Sequence, residues 1–250
     1  MPSRLQEYGQ MLETALEAGY RFDTIRNVWQ QLRDDDSGVP DRTLILRHDV
    51  DTDPGTAARK LAIETALGIH CSYFFRLCTV DIGLMQRIEA LGGEASYHYE
   101  EIATFAKAER IKQREEILSR LPEIRACFAD NLERLRRDSG LGMTTVASHG
   151  DFANKKLGLA NTVLLQDKTL REATGVELEV YDEAFTSHID SSHTDRRPPQ
   201  RWHPSDPLDA IGKRVPVIAV LTHPRQWRAN WTWNLRDNMR RAWEGLRYAI

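Results

Sequence analysis

Short apolar β-type runs alternating with helical segments predict an α/β fold on a parallel sheet, open or closed into a barrel. Three observations carry this expectation. Residues 44–49, 71–77, 95–98, 144–148 and 215–221 are short runs of strand character. Segments of helical periodicity lie between them. Several of the runs end in charged or imidazole side chains, at the strand ends where parallel α/β sheets place their chemistry.

In chain order, residues 4–34 read as two amphipathic helices, with Leu5, Tyr8, Met11, Leu12 and Leu16 on one stripe. Asp35-Asp36-Ser37-Gly38-Val39-Pro40 closes them as a polar turn. The strand at 44–49 leads to a helix over 54–67, with Asp53 as N-cap and Pro54 in the first turn. The strand at 71–77 precedes an apolar helix near 85–91, and Gly92-Gly93 punctuates before the strand at 95–98. A charged helical region over 101–137 is expected to break at Leu121-Pro122. The strand at 144–148 ends in His149-Gly150-Asp151. Beyond it, 163–173 reads as helical, 176–181 and 185–189 as extended, and 191–199 as polar loop. The buried run 215–221 enters Thr222-His223-Pro224, and an amphipathic helix over 235–248 follows. The expectation is one domain over 1–250, its first 40 residues a helical preface.

Charged residues at 28% and apolar residues at 41% fit a globular chain, not a disordered one. The net charge of −3 argues against nucleic acid or an anionic membrane as partner, and Arg196-Arg197 and Arg240-Arg241 read as solvated faces. No run is apolar enough to span a bilayer, and MPSRLQEYGQ lacks a signal peptide's apolar region. Cys71, Cys78 and Cys127 lack metal-type spacing, and Cys71 and Cys78 read as small core residues. A reduced cytoplasmic protein is expected. Without a strand-borne Gly-x-Gly-x-x-Gly or a Gly-Lys-Ser/Thr loop, no nucleotide cofactor is expected.

The chemistry concentrates at strand ends. In Arg47-His48-Asp49-Val50-Asp51, side-chain alternation puts Asp49 and Asp51 on one face, with His48 and Val50 opposite. Two carboxylates so placed repel unless a cation lies between them or one handles a proton. His98 with Glu100, His149 with Asp151, and His223 occupy other strand ends. An Asp/His/His set suits Zn²⁺ or a similar divalent ion and leaves a position open for water. Structural alternatives stand beside this reading: Asp49 and Asp51 paired with Arg47 or capping a helix, and each histidine simply hydrogen-bonded. His188 and His193 read as solvated loop residues, and His70 as a surface residue on the opposite rim. Trp227, Trp231 and Trp233 suit either stacking on sugar rings or packing against the last helix.

Asp-x-Asp on the first strand, Gly92-Gly93-Glu94-Ala95-Ser96-Tyr97-His98 on the third and Leu221-Thr222-His223 on the last together resemble the polysaccharide deacetylase (NodB-homology, carbohydrate esterase) superfamily. Arg47-His48-Asp49-Val50-Asp51, Tyr97-His98-Tyr99-Glu100, Ser148-His149-Gly150 and Leu221-Thr222-His223-Pro224 look like its surface-glycan biosynthesis branch. The resemblance covers residues 42–228. It implies a distorted (β/α)₇-type barrel, a divalent metal, and removal of an N-acetyl group from a carbohydrate substrate. By position, Asp49 resembles the general base, Asp51 the metal-binding carboxylate, His98 the first metal histidine, and His223 the histidine that protonates the departing amine. Asp190 is the candidate carboxylate to orient His223. The family's second histidine, four residues after the first, is Ile102 here. That leaves His149, or alternatively Glu100, to complete the site. The adjacent Asp-Asp pair is replaced by Asp-x-Asp, and the family's Arg-Pro-Pro segment is missing where Ala147-Ser148-His149-Gly150 stands. The alternatives are a metal-dependent hydrolase of another C–N bond and a non-catalytic carbohydrate-binding barrel.

Overall fold

A computed structural model describes residues 3–34, 38–197, 199–228 and 230–249; residues 35–37 of the expected polar turn at 35–40 lie outside them. Among the described residues nine strands form one sheet: β1 (Arg21–Asp23), β2 (Thr43–Val50), β3 (Ser72–Phe75), β4 (Glu94–Tyr99), β5 (Thr145–Ser148), β6 (Leu178–Glu179), β7 (Ser191–Asp195), β8 (Trp202–His203) and β9 (Val217–Thr222). They lie in the order β6-β5-β4-β3-β2-β9-β7-β8, with β1 on β2. All pairings are parallel except β7 with β8. β1 pairs with the first half of β2 and β3 with its second half. The protein is thus the expected α/β fold, a mostly parallel curled sheet alternating with helices and preceded by an N-terminal helix, Leu5–Glu17. Among the described residues no pairing joins β6 to β8, so the barrel is open, a half-barrel.

Both faces of the sheet are covered, which is why β2 is buried at every position. Leu44, Leu46 and Val50 pack into the large core with Tyr73, Phe75, Tyr97, Tyr99 and Phe128. Ile45 faces the concave side with Phe74, Ala147, Leu178 and Phe185, where Ile25 and Val28 of the helix Ile25–Asp34 fill the curl. On β2, β4 and β5 the concave positions recur every second residue and end in carboxylate or imidazole side chains: Ile45, Arg47, Asp49 on β2; Ser96, His98 on β4; Ala147, His149 on β5 and just past it.

Local signals account for most boundaries. Asp53 caps the helix Pro54–Ala66 by accepting from the Thr56 amide at 3.1 Å. The charged region forms three helices, Glu101–Glu109, Arg114–Ser119 and Leu121–Ser139. The main break falls at residues 110–113, where Arg110 has φ 59°. Pro122 opens the third helix, since its missing N–H has no intrahelical partner in a first turn anyway.

Several expectations are overturned, among them the all-helical reading of residues 4–34, where β1 lies. Residues 185–189 are not a strand; the helix Glu183–Thr186 and a turn lie there. The strand is β7, in the stretch expected to be polar loop. Ser191-Ser192-His193-Thr194-Asp195 holds no apolar residue, so no hydrophobic alternation marks it; pairing with β9 and β8 makes it a strand. His193 is accordingly buried, its ring 2.8 Å from the Ser205 carbonyl and 2.8 Å from Ser191 Oγ. Of the two cysteines read as core residues, Cys71 is buried and Cys78 is exposed. No described helix is long and apolar enough to cross a membrane.

Candidate metal centre

Asp51 just past β2, His98 on β4 and His149 just past β5 converge at the charged rim. Asp51 Oδ1 lies 3.4 Å from the Nε2 of both His98 and His149. It is buried and has no hydrogen-bond partner among the described residues. Ligand atoms at zinc-type bond lengths around a tetrahedron are separated by about 3.4 Å. A carboxylate oxygen left without a donor between two imidazole nitrogens at that spacing fits a divalent cation. These three residues could hold a metal ion. The rings are arranged for it: His98 Nδ1 is 3.0 Å from the Ala147 carbonyl, which fixes the proton there and turns the Nε2 lone pair toward Asp51.

Glu100, the alternative ligand, stands behind His149. Arg76 grips both its oxygens, Nε at 2.9 Å and Nη2 at 2.7 Å. Its Oε2 is 3.2 Å from His149 Nδ1, a charge contact outside hydrogen-bond geometry. Glu100 therefore stands behind His149 as a charge partner, itself held by Arg76. Among the described residues two further groups bring three ligand atoms within 4.8 Å of one another, but their oxygens are engaged. In Glu100/His149/Asp151, Arg76 holds Glu100 and Lys107 holds Asp151 at 3.0 Å. In His48/Glu64/Cys71, Glu64 accepts from both Tyr8 and Tyr73.

Charge follows from this geometry. Burial disfavours the Asp51 carboxylate, but His149, His98 and His223 outweigh it and hold the group well below the usual carboxylate range. Burial likewise disfavours imidazolium at His149; Asp51 and Glu100 outweigh it and raise the pKa to about 9.

Asp49 lies beside this trio, its Oδ2 3.3 Å from His98 Nε2. Arg47, two residues earlier on the same face, binds it through two bonds of 2.7 and 2.8 Å. Burial raises the Asp49 pKa, yet Arg47, His98 and His223 bring it below its ordinary value, so it is an ionised acceptor at neutral pH. The pairing with Arg47 weighed as a structural alternative is thus present. It coexists with placement in the cluster.

His223 reaches the site through register: His48 pairs with Thr222, so the next residues, Asp49 and His223, stand side by side. His223 Nε2 is 4.0 Å from Asp51 Oδ2. Its Nδ1 is 2.7 Å from Asp195 Oδ1. Burial lowers the His223 pKa, but Asp195, with Asp51 and Asp49, raises it to about 9.

The expected orienting carboxylate, Asp190, is therefore corrected to Asp195. Asp190 accepts from the Val217 amide at 2.9 Å, at the start of β9, about 20 Å of strand from His223. Asp195 also accepts from the His223 amide at 2.9 Å and from Trp227 Nε1 at 2.8 Å. Trp227 is consequently a buried structural residue. Sequence reasoning missed Asp195, Trp227 as its support, and Arg76. The one signal for Asp195 was a carboxylate at the end of a strand too polar to be seen as one.

Comparison with protein-family models, with curated proteins and with solved structures finds no match for this chain.

Proposed function

We propose that this chain is a metal-dependent amide hydrolase that removes an N-acetyl group from a sugar or glycan precursor. The observation that carries the reading is the unpartnered Asp51 Oδ1 held between His98 and His149, with Asp49 on one side and His223 on the other. The order of its motifs, which resembles that of polysaccharide deacetylases, suggests the amide of an acetylated sugar.

Asp51, His98 and His149 would hold the ion, and zinc suits this oxygen and nitrogen set. Once bound, a divalent ion supplies Lewis acidity, polarising an amide carbonyl and making water a better nucleophile near neutral pH. Asp49 accepts the water's proton. Arg47 fixes its position and keeps it ionised, which makes it a weak base suited to an already acidified water. His223, oriented by Asp195 through Nδ1, directs Nε2 toward Asp51 and, as imidazolium, donates a proton to the departing nitrogen. Asp195 plays the part of a carboxylate that holds an imidazole in one tautomer.

Acetate release from a panel of N-acetyl sugars, measured beside metal content, tests this division of labour. Asp49→Asn and His223→Ala should each reduce turnover about 10²-fold or more while metal stays bound. Asp51→Asn and His98→Ala should lose the metal. Purified protein that takes up no metal would overturn the hydrolase reading and leave a carbohydrate-binding barrel. Loss of metal in Asp49→Asn would overturn the separate roles of the two carboxylates.

A further inference from the structure

The arginines read from sequence as a solvated face lie beside the candidate catalytic histidine. Asp51, Asp195 and His223 share a cavity of about 680 Å³ with Arg196, Arg197 and Arg225. Arg196 and Arg197 stand in the turn between β7 and β8. That turn is anchored: Asp195 pairs with Trp202, and the Arg196 amide donates to the Arg201 carbonyl at 2.8 Å. Arg225 is two residues beyond His223, and its guanidinium is steadied by Asp237 at 2.7 Å and Asn238 at 3.3 Å. The two carboxylates lining the cavity are committed elsewhere, Asp195 to His223 and Trp227, and Asp51 to the candidate metal trio. Arg225 is ion-paired with Asp237, so the surplus of positive charge at the cavity comes from Arg196 and Arg197, although the chain as a whole is at −3. A cleft lined by one sign of charge concentrates ligands of the other sign.

We propose that the sugar carries an anionic group, a carboxylate or a phosphate, bound by Arg196, Arg197 and Arg225 on the leaving-amine side of the site. This rests on the hydrolase reading in one respect: His223 protonates the amine, so the amino sugar occupies the cavity that His223 lines. Guanidinium groups match both anions in shape, and each can offer two donors at once. Gln200 and Gln226 line the same cavity with amide donors and acceptors suited to sugar hydroxyls.

Two measurements separate this proposal from the hydrolase reading. Calorimetric titration of the protein with glucose, glucuronic acid and glucose 1-phosphate needs no turnover. At least one anionic sugar should bind about tenfold tighter than glucose, and the tighter of the two identifies the anion. That preference should shrink several-fold in Arg196→Gln/Arg197→Gln and in Arg225→Gln, and between roughly 50 and 300 mM salt. Acetate release is then compared for N-acetylglucosamine, its 1-phosphate, and a disaccharide of N-acetylglucosamine with glucuronic acid. An anionic substrate should show about tenfold higher kcat/KM than the neutral sugar. Equal binding of glucose and both anions, or a preference unchanged in both arginine variants, overturns the proposal even if neutral sugars are deacetylated. Anion preference without any acetate release supports the subsite and overturns the hydrolase reading.

Discussion

At the residue scale, the site depends on which carboxylate faces which histidine. Asp190 and Asp195 are five residues apart and serve opposite ends of β9. Asp190 meets the amide of Val217 at its start, and Asp195 the ring of His223 beyond its end. Asp195→Asn should lower acetate release about 10²-fold or more with metal content unchanged, because the amide no longer stabilises imidazolium at His223. It should also shift the alkaline limb of the pH–rate profile to lower pH. Asp190→Asn should leave both turnover and profile at wild-type values. Kinetics with equal losses in the two variants would contradict the assignment. Asp49 and Asp51 were legible from alternation alone, because a strand's period of two is local. The bonds of Arg47 to Asp49 and of Arg76 to Glu100 were not. In each case several partners at the rim satisfy the chemistry, and only the packed side chains choose among them.

At the element scale, strands were read where apolar residues alternate or cluster, and β7 was missed because it has none. Its edges are satisfied by β9 and β8, so backbone pairing, not side-chain burial, makes it a strand. At the opposite end of the sheet a polar lock fastens the helix Ile25–Asp34 to the strands. The buried Glu94 carboxylate accepts from the Arg26 amide at 3.0 Å, from Ser72 Oγ at 2.6 Å and from the Thr145 hydroxyl. Ser72 in turn accepts from the Ile25 amide at 2.8 Å. Glu94→Leu removes the acceptor and leaves buried donors unpaired, which should cost about 2–4 kcal/mol in urea unfolding. Metal binding should persist, since His98 is four residues further along β4, about 13 Å away. A loss below about 0.5 kcal/mol would show that Glu94 does not lock the helix.

At the scale of the whole molecule, buried titratable groups make stability depend on pH. His48 is held down to about 4 by burial first and by the Lys60 charge second, with Glu64 opposing. Between about pH 6.5 and 4 the unfolded chain takes up a proton at His48 that the folded chain refuses, so this group makes stability fall as pH drops. Glu179, pushed up to about 7 by burial, contributes a gradient of opposite sign between about pH 4.5 and 7. His149 and His223, raised to about 9 in the metal-free protein, contribute theirs above about pH 6.5. The contribution of His48 is therefore read as a difference. From pH 6.5 to 5, wild type should lose about 2 kcal/mol of stability relative to His48→Asn in the metal-free protein. A difference that stays constant with pH would contradict a neutral, buried His48.

By itself the sequence determined what short-range physics determines: alternating strands and helices, the cap and first turn of the helix after β2, the shared face of Asp49 and Asp51, and histidines at strand ends. Each follows from a period of two or 3.6 residues, or from a backbone amide satisfied within one turn. The tertiary structure alone decided that the sheet stays open between β6 and β8, and that a stretch without apolar residues is a strand. It alone set Asp195 rather than Asp190 on His223, placed Glu100 behind His149, and put Arg196 and Arg197 beside the site. These outcomes depend on register between strands distant in sequence, and on charges whose partners lie on other strands. Such pairings are settled by competition for burial and hydrogen bonds across the whole sheet.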